Sequence, residues 1–326
     1  MEGGGIRGIA YAGVFSVLEE KNILQQIERV GGSSAGAIAG FLICTGYTAK
    51  EVDSIMQELP VQQFNDGKGG LIGKYRRVKK DFGIYEGKKF EQWLQQLLKN
   101  KTGKPHLTFA ELHQLQQQHK NYKDLFCTGT NLSRQQLEIF SYEHTPDMPV
   151  ALAVRISAGV PLYFEPVALD NNLQKIKKND TLSFINYYVD GGMLCNYPIS
   201  LFDTCENLPA RQAGKANPLL CHTVKFNRQT IGIKLERPEQ IDSLQRNSIT
   251  IPPYTVNNLN EYLAAFSNLM IETLNRKYPN LENEKERTIY VSTGTINPKV
   301  RKMKAEEKKL LYNNGVTAAL KFFSNL

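Results

Sequence analysis

Apolar positions along the chain switch repeatedly between a helical and a strand-like period. Residues 9–21 place Ile9, Val14, Val17 and Leu18 on one side of a helix entered through glycines. Ser34 to about Tyr47 reads as a buried helix rich in small residues. Amphipathic helices follow at 50–58 and 88–100, the second with Phe90, Trp93, Leu94, Leu97 and Leu98 in one apolar stripe. Another spans 108–118, where Thr108 and Glu111 have the spacing of a capping box. Strands are expected at 124–130, 136–142, 184–189, 231–235 and 288–292, and long helices at 254–277 and 305–323. Residues 60–87 are rich in Gly and Lys and show no clear period. Alternating strands and helices without a long linker predict one α/β domain over residues 1–326, with a helical or loop insertion or lid at about 60–123.

Composition narrows the picture only a little. The chain has 326 residues, 41% of them hydrophobic, enough for a large buried core. No apolar run reaches the roughly 18 residues of a membrane span, and the opening residues lack a signal-peptide core. The expectation is a cytoplasmic protein, peripheral at membranes, with export by a Sec-independent route left open. Lys+Arg 40 against Asp+Glu 32 gives a formal charge of +8, compatible with nucleic acid, an anionic membrane surface or no specific partner. No nucleic-acid motif accompanies that charge, so nucleic acid is not expected as a partner. The 5 cysteines are odd in number and lack C-x-x-C spacing, which favours reduced thiols and no structural zinc.

Candidate chemistry gathers at three glycine-rich sites. Gly3-Gly4-Gly5-Ile6-Arg7-Gly8 fits G-x-G-x-x-G, with Glu28 near the place of a ribose-binding acid. A dinucleotide site needs a strand before those glycines, and only Met1 and Glu2 precede them. Gly32-Ser33-Ser34-Ala35-Gly36 reads G-x-S-x-G at a strand-to-helix junction. It is either a tight turn capped by a serine or a nucleophile elbow with Ser34 at its apex. Asp190-Gly191-Gly192 closes a strand; it is a common turn sequence, or a carboxylate delivered to take the proton of Ser34. The upstream glycines let backbone amides approach a substrate closely, as an oxyanion hole requires.

In order and spacing, EGGGIRGIAYAGVFSVLEE, GGSSAGAIAG and VDGGMLCNYPI resemble the three blocks of the patatin-like phospholipases. ISAGVPLYFEPV and the final GTINPKVRKMKAEEKKLLYNNGVTAALKF are also similar to that family. The resemblance implies a three-layer α/β/α sandwich with a mainly parallel central sheet, and an acyl hydrolase working without histidine, metal or cofactor. It implies Ser34 as nucleophile, Asp190 as base, and the amides of Gly4 and Gly5 as the oxyanion hole. Arg7 would support that loop, with Gly3, Gly8, Gly32, Gly36, Gly191 and Gly192 completing the motifs. The implied substrates are phospholipids or other acyl lipids. Family members carry an apolar strand before the glycine loop, which this sequence does not show.

Two alternatives stay open. An ordinary Ser-Asp-His hydrolase would use His222, the one histidine after Asp190. A catalytically idle lipid-binding module would keep the fold alone. One further stretch, Lys74-Tyr75-Arg76-Arg77-Val78-Lys79-Lys80, is either a solvated basic loop or a transient contact with anionic membrane through Arg76, Arg77, Lys79 and Lys80.

Overall fold

The computed structural model describes residues 1–67, 70–176, 184–205, 219, 224–245, 256, 265 and 281–325. Its strands begin with β1 (Arg29–Gly32), β2 (Gly83–Tyr85), β3 (Asp124–Asn131) and β4 (Gln136–Phe140). β5 (Leu162–Phe164), β6 (Val167–Leu169), β7 (Asn186–Asp190) and β8 (Thr204–Cys205) follow. The last are β9 (Val224–Lys225), β10 (Gly232–Glu236) and β11 (Thr288–Ser292). Between them run helices α1 (Ala10–Glu20), α2 (Ala35–Cys44), α3 (Ala49–Gln57), α4 (Gly70–Asp81) and α5 (Lys88–Thr102). α6 (Phe109–Gln118), α7 (Val150–Ser157), α8 (Pro238–Gln245), α9 (Leu281–Glu286) and α10 (Ala305–Ser324) complete the set.

Strand β3 is the spine. All of its residues are buried, and their alternation feeds two separate clusters. Leu125 and Cys127 join the main core with α2 and α7, while Phe126 packs with Leu137, Ile139, Leu201 and Leu219 on the opposite face. β1 lies parallel to the first half of β3, with Gly32 beside Cys127. β7 lies antiparallel to the second half, with Asp190 beside Gly129. β4 pairs antiparallel along 127–131 and takes the other edge. Hence β1 and β7 share one edge of β3 and point their C-terminal ends at each other, with Thr128 between them. This is how residues distant in sequence come to one place.

The other described pairs are β6–β7 and β8–β9, antiparallel, and β2–β5 and the ribbon of β10 and β11, parallel. The glycine loop is anchored between β1 and β10. Glu2 N–H donates to the Ile233 carbonyl at 3.1 Å, and Ser33 N–H to the Met1 carbonyl at 3.2 Å. The Met1 ammonium donates to the Gly31 carbonyl at 2.7 Å. Backbone at Met1 and Glu2 thus runs between β1 and β10.

Several expectations need revision. Residues 70–81 form a helix rather than an aperiodic loop. Long cationic side chains help to hold its inner face: Lys74 lies over the Tyr85 ring, and Arg77 Nε donates to the Ile84 carbonyl at 2.8 Å. Hydrophobic periodicity cannot register such a helix. Helix α7 and the short strands β2, β5 and β6 were not expected either. Phe90, Leu94, Leu98, Leu107 and Leu112, from the 60–123 region, lie in the main core cluster. Cys205 is disulfide-bonded, so the expectation of reduced thiols fails there. Most of the expected helix at 254–277 lies outside the described residues, as does His222. No described helix is long and apolar enough to cross a membrane.

Candidate active site

Ser34 sits at the junction of β1 and α2 with φ 50° and ψ −118°. A residue bearing a Cβ adopts that conformation only under compensation, at a cost of about 1–3 kcal/mol. The sharp turn aims the hydroxyl at β7. Ser34 Oγ donates to Asp190 Oδ2 at 2.6 Å. Gly192 N–H donates to the other oxygen, Oδ1, at 2.7 Å, fixing the carboxylate from behind. The Asp190 main chain is held too: its N–H donates to the Gly159 carbonyl at 3.0 Å, and its carbonyl accepts the Thr130 hydroxyl at 2.9 Å.

Both side chains are buried. Burial pushes the Asp190 carboxyl up to about 6, against the pull of the Ser34 and Gly192 hydrogen bonds. It therefore remains ionised at neutral pH while being a stronger base than an exposed aspartate. Ser33 takes a different path. Its hydroxyl meets Thr128 Oγ1 at 2.5 Å and donates to the Cys195 carbonyl at 2.6 Å, so it braces the turn and faces away from the carboxylate.

The glycine loop stands beside this pair. A Cβ on Gly3 would lie 3.0 Å from the Ser34 Cβ and would enter the Asn196 side chain. Gly5 has φ +55° and faces the Pro298 carbonyl, so both conformation and space require glycine there. Arg7 donates to the Gly4 carbonyl through its N–H at 3.2 Å and through Nε at 3.3 Å. That carbonyl is turned back into the loop, and among the described residues no acceptor engages the N–H of Gly4 or Gly5. Gly8 backs on Ala35, Gly32 on Gly36, Gly36 on Met1 and Glu2, and Gly191 on Thr128. The three glycine sites thus form one packed unit.

Three contributors were not singled out in the sequence. Ser157 Oγ accepts the Ser34 N–H at 3.2 Å. Asn196 Nδ2 donates to the Gly3 carbonyl at 3.2 Å and to Glu2 Oε1 at 3.2 Å, while Asn196 C=O accepts Gly3 N–H at 2.9 Å. The second carboxylate oxygen of Glu2 accepts Leu235 N–H at 2.7 Å. Burial and the nearby Glu236 push the Glu2 carboxyl up to about 7. Asn196 and Glu2 lie inside the quoted motif blocks, but only proximity in space shows that they tie the glycine loop to the Asp190 turn.

Histidines stand elsewhere among the described residues: His113 pairs with Asp124, and His144 with Ser141. No three described His, Cys, Asp or Glu side chains gather as metal ligands would. Of the basic residues, Arg76, Lys79 and Lys80 are exposed, whereas Arg77 is half-buried and its Nε donates to the Ile84 carbonyl.

The family model described as Patatin-like phospholipase matches residues 1–203. The uncharacterized protein YqhO of Bacillus subtilis is 36% identical over 214 residues, covering 64% of this chain and 67% of that protein. A probable lipid hydrolase, 463L of Invertebrate iridescent virus 6, is 27% identical over 202 residues, or 62% of this chain and 61% of the relative. Among solved structures, VipD from Legionella pneumophila aligns with a TM-score of 0.61 at 16% identity, covering 99% of this chain and 66% of that one. The type III effector ExoU aligns with a TM-score of 0.51 at 17% identity, covering 100% of this chain and 52% of its own. The matched region thus spans between about half and two thirds of these relatives.

Proposed function

Because this chain belongs to the patatin-like phospholipase family and has its α/β/α fold, we propose that it hydrolyses acyl esters of membrane phospholipids through Ser34 and Asp190. The observation that carries the reading is the 2.6 Å hydrogen bond from a strained serine to a buried carboxylate. Serine is a poor nucleophile at neutral pH and needs an adjacent base. Asp190 takes the hydroxyl proton as Ser34 Oγ bonds to the ester carbonyl carbon. Negative charge then develops on the carbonyl oxygen, where the Gly4 and Gly5 amides and the N-terminus of α2 stabilise it. Collapse breaks the bond to the leaving alcohol, which takes the proton from Asp190 and leaves an acyl-serine. Water, deprotonated by Asp190, attacks that ester; the fatty acid leaves and Ser34 recovers its proton.

Turnover of a defined phospholipid should fall on the order of 10⁴-fold in Ser34→Ala and again in Asp190→Asn, with the double variant little worse than either. Near wild-type turnover in Asp190→Asn would sink the dyad. A His222→Ala variant with normal turnover excludes the triad alternative. Acyl release by the wild type excludes the idle binding module, which the intact Ser34–Asp190 pair already disfavours.

A further inference from the structure

The outward stripe of α4 differs from an ordinary solvated helix face. Ile72, Tyr75, Arg76, Lys79 and Lys80 recur at helical spacing and all are exposed, Ile72 at 83% and Tyr75 at 71%. The stripe mixes large apolar tips with cations and contains no acid. Phe82 follows, half exposed at φ 62°, a conformation that a bulky residue enters at a cost. β2 pairs parallel with β5, placing Gly83 beside Leu162. Phe82 is therefore next to the register position of Leu162, itself 62% exposed and at φ 65°. Exposed Val160 precedes it, and the carbonyl of Gly159 accepts the Asp190 N–H. The apolar rim thus runs from α4 to the turn that holds the Asp190 backbone.

Arg155 mounts this unit firmly. Its buried guanidinium donates to the carbonyls of Gly87 and Glu86 at 3.1 Å and of Glu165 at 3.0 Å. Those carbonyls lie just after β2 and β5, and Arg155 itself is on α7, two residues before Ser157. The surface and the site share one rigid support.

We propose that this face docks on an anionic lipid bilayer, with Ile72, Tyr75, Phe82 and Leu162 entering the acyl boundary and Arg76, Lys79 and Lys80 meeting the phosphates. The purpose of docking rests on the lipid-hydrolase reading; its test does not. Apolar tips flanked by cations match an anionic headgroup layer over hydrocarbon, and aromatic and basic side chains favour that boundary. Each Lys or Arg held near such a surface strengthens partitioning about fivefold, and the effect decays within a Debye length.

The experiment compares sedimentation of the full chain with vesicles of phosphatidylcholine alone and of phosphatidylcholine mixed with phosphatidylserine. Wild type should bind the anionic vesicles, and salt should weaken the binding. Replacing Arg76, Lys79 and Lys80 with Ser should weaken it about a hundredfold at low salt and flatten the salt dependence. Ile72→Ser with Tyr75→Ser should weaken it while leaving the salt slope unchanged. Hydrolysis of a soluble short-chain ester should survive in both variants, since neither touches Ser34 or Asp190. That assay also separates the readings: an inactive wild type that still binds vesicles leaves docking intact and removes the proposed chemistry. Equal vesicle binding by wild type and both variants overturns the proposal. So does a wild type that binds neither vesicle, which would assign the face to a protein partner.

Discussion

The Asp190 carboxylate accepts one hydrogen bond on each oxygen, yet burial still raises its affinity for protons. The consequence for catalysis has a definite sign. A base must be ionised, so kcat/KM should fall about tenfold per pH unit below about 6 and level off above it. A pH profile with a soluble ester measures this, and a rate that stays flat down to pH about 4 would show that Asp190 is not the base. Ser34 and Asp190 were legible in the sequence because each stands in a glycine-flanked turn whose backbone requirement leaves a local signature. Ser157, Asn196 and Glu2 were not, since their contribution is a contact across the fold. Ser157 braces Ser34 from a helix that the sequence did not announce, and Asn196 is one polar residue in a loop until Gly3 is seen against it.

Elements explain the meeting of those residues better than the motifs do. Strands β1 and β7 end against each other on one edge of β3, so the serine turn and the aspartate turn converge at Thr128. The central strands were readable from their apolar runs, but register and the shared edge belong to pairing that sequence periodicity does not encode. Helix α4 escaped because cationic stems pack its inner face, and β5 and β6 because three residues are too few to establish a period. The loop carrying Gly4 and Gly5 offers a sharper test of element geometry. At Gly5 both the positive φ and the Pro298 carbonyl exclude a side chain, whereas at Gly4 the obstacle is the movable side chain of Leu235. Gly5→Ala should therefore lose about 10²–10³ in turnover, the scale of one oxyanion donor, and Gly4→Ala clearly less. Turnover measured beside a thermal melt separates loss of the amide position from loss of fold; equal turnover in both variants and the wild type would remove the proposed hole.

Across the whole molecule, the burial that would fit Asp190 to act as a base works against the folded state. Its pKa rises from 3.8 in an open chain to about 6, so the folded protein holds the proton more tightly than the unfolded one. The stability this group contributes is complete below about 3.8 and is lost as pH rises through about 6. A shift of that size corresponds to roughly 2–3 kcal/mol at neutral pH, an upper figure given relaxation around a buried charge. Glu2, raised to about 7, has the same sign, while the Met1 ammonium, lowered to about 5 by burial, has the opposite sign over an overlapping range. The pH dependence of the wild type alone therefore mixes several groups, and the informative quantity is its difference from a variant. Asn at position 190 keeps the shape and the capacity to accept from Gly192 but carries no charge. Asp190→Asn should match the wild type in melting temperature near pH about 4 and exceed it by a few degrees at neutral pH, with the gap opening as pH rises. Thermal melts of the two proteins across that range measure it. The range over which activity rises is the same range over which this advantage grows, as expected where a functional charge is retained at a cost in stability. A gap that is absent at neutral pH, or that narrows as pH rises, would mean that Asp190 is not held in a buried, destabilised charged state.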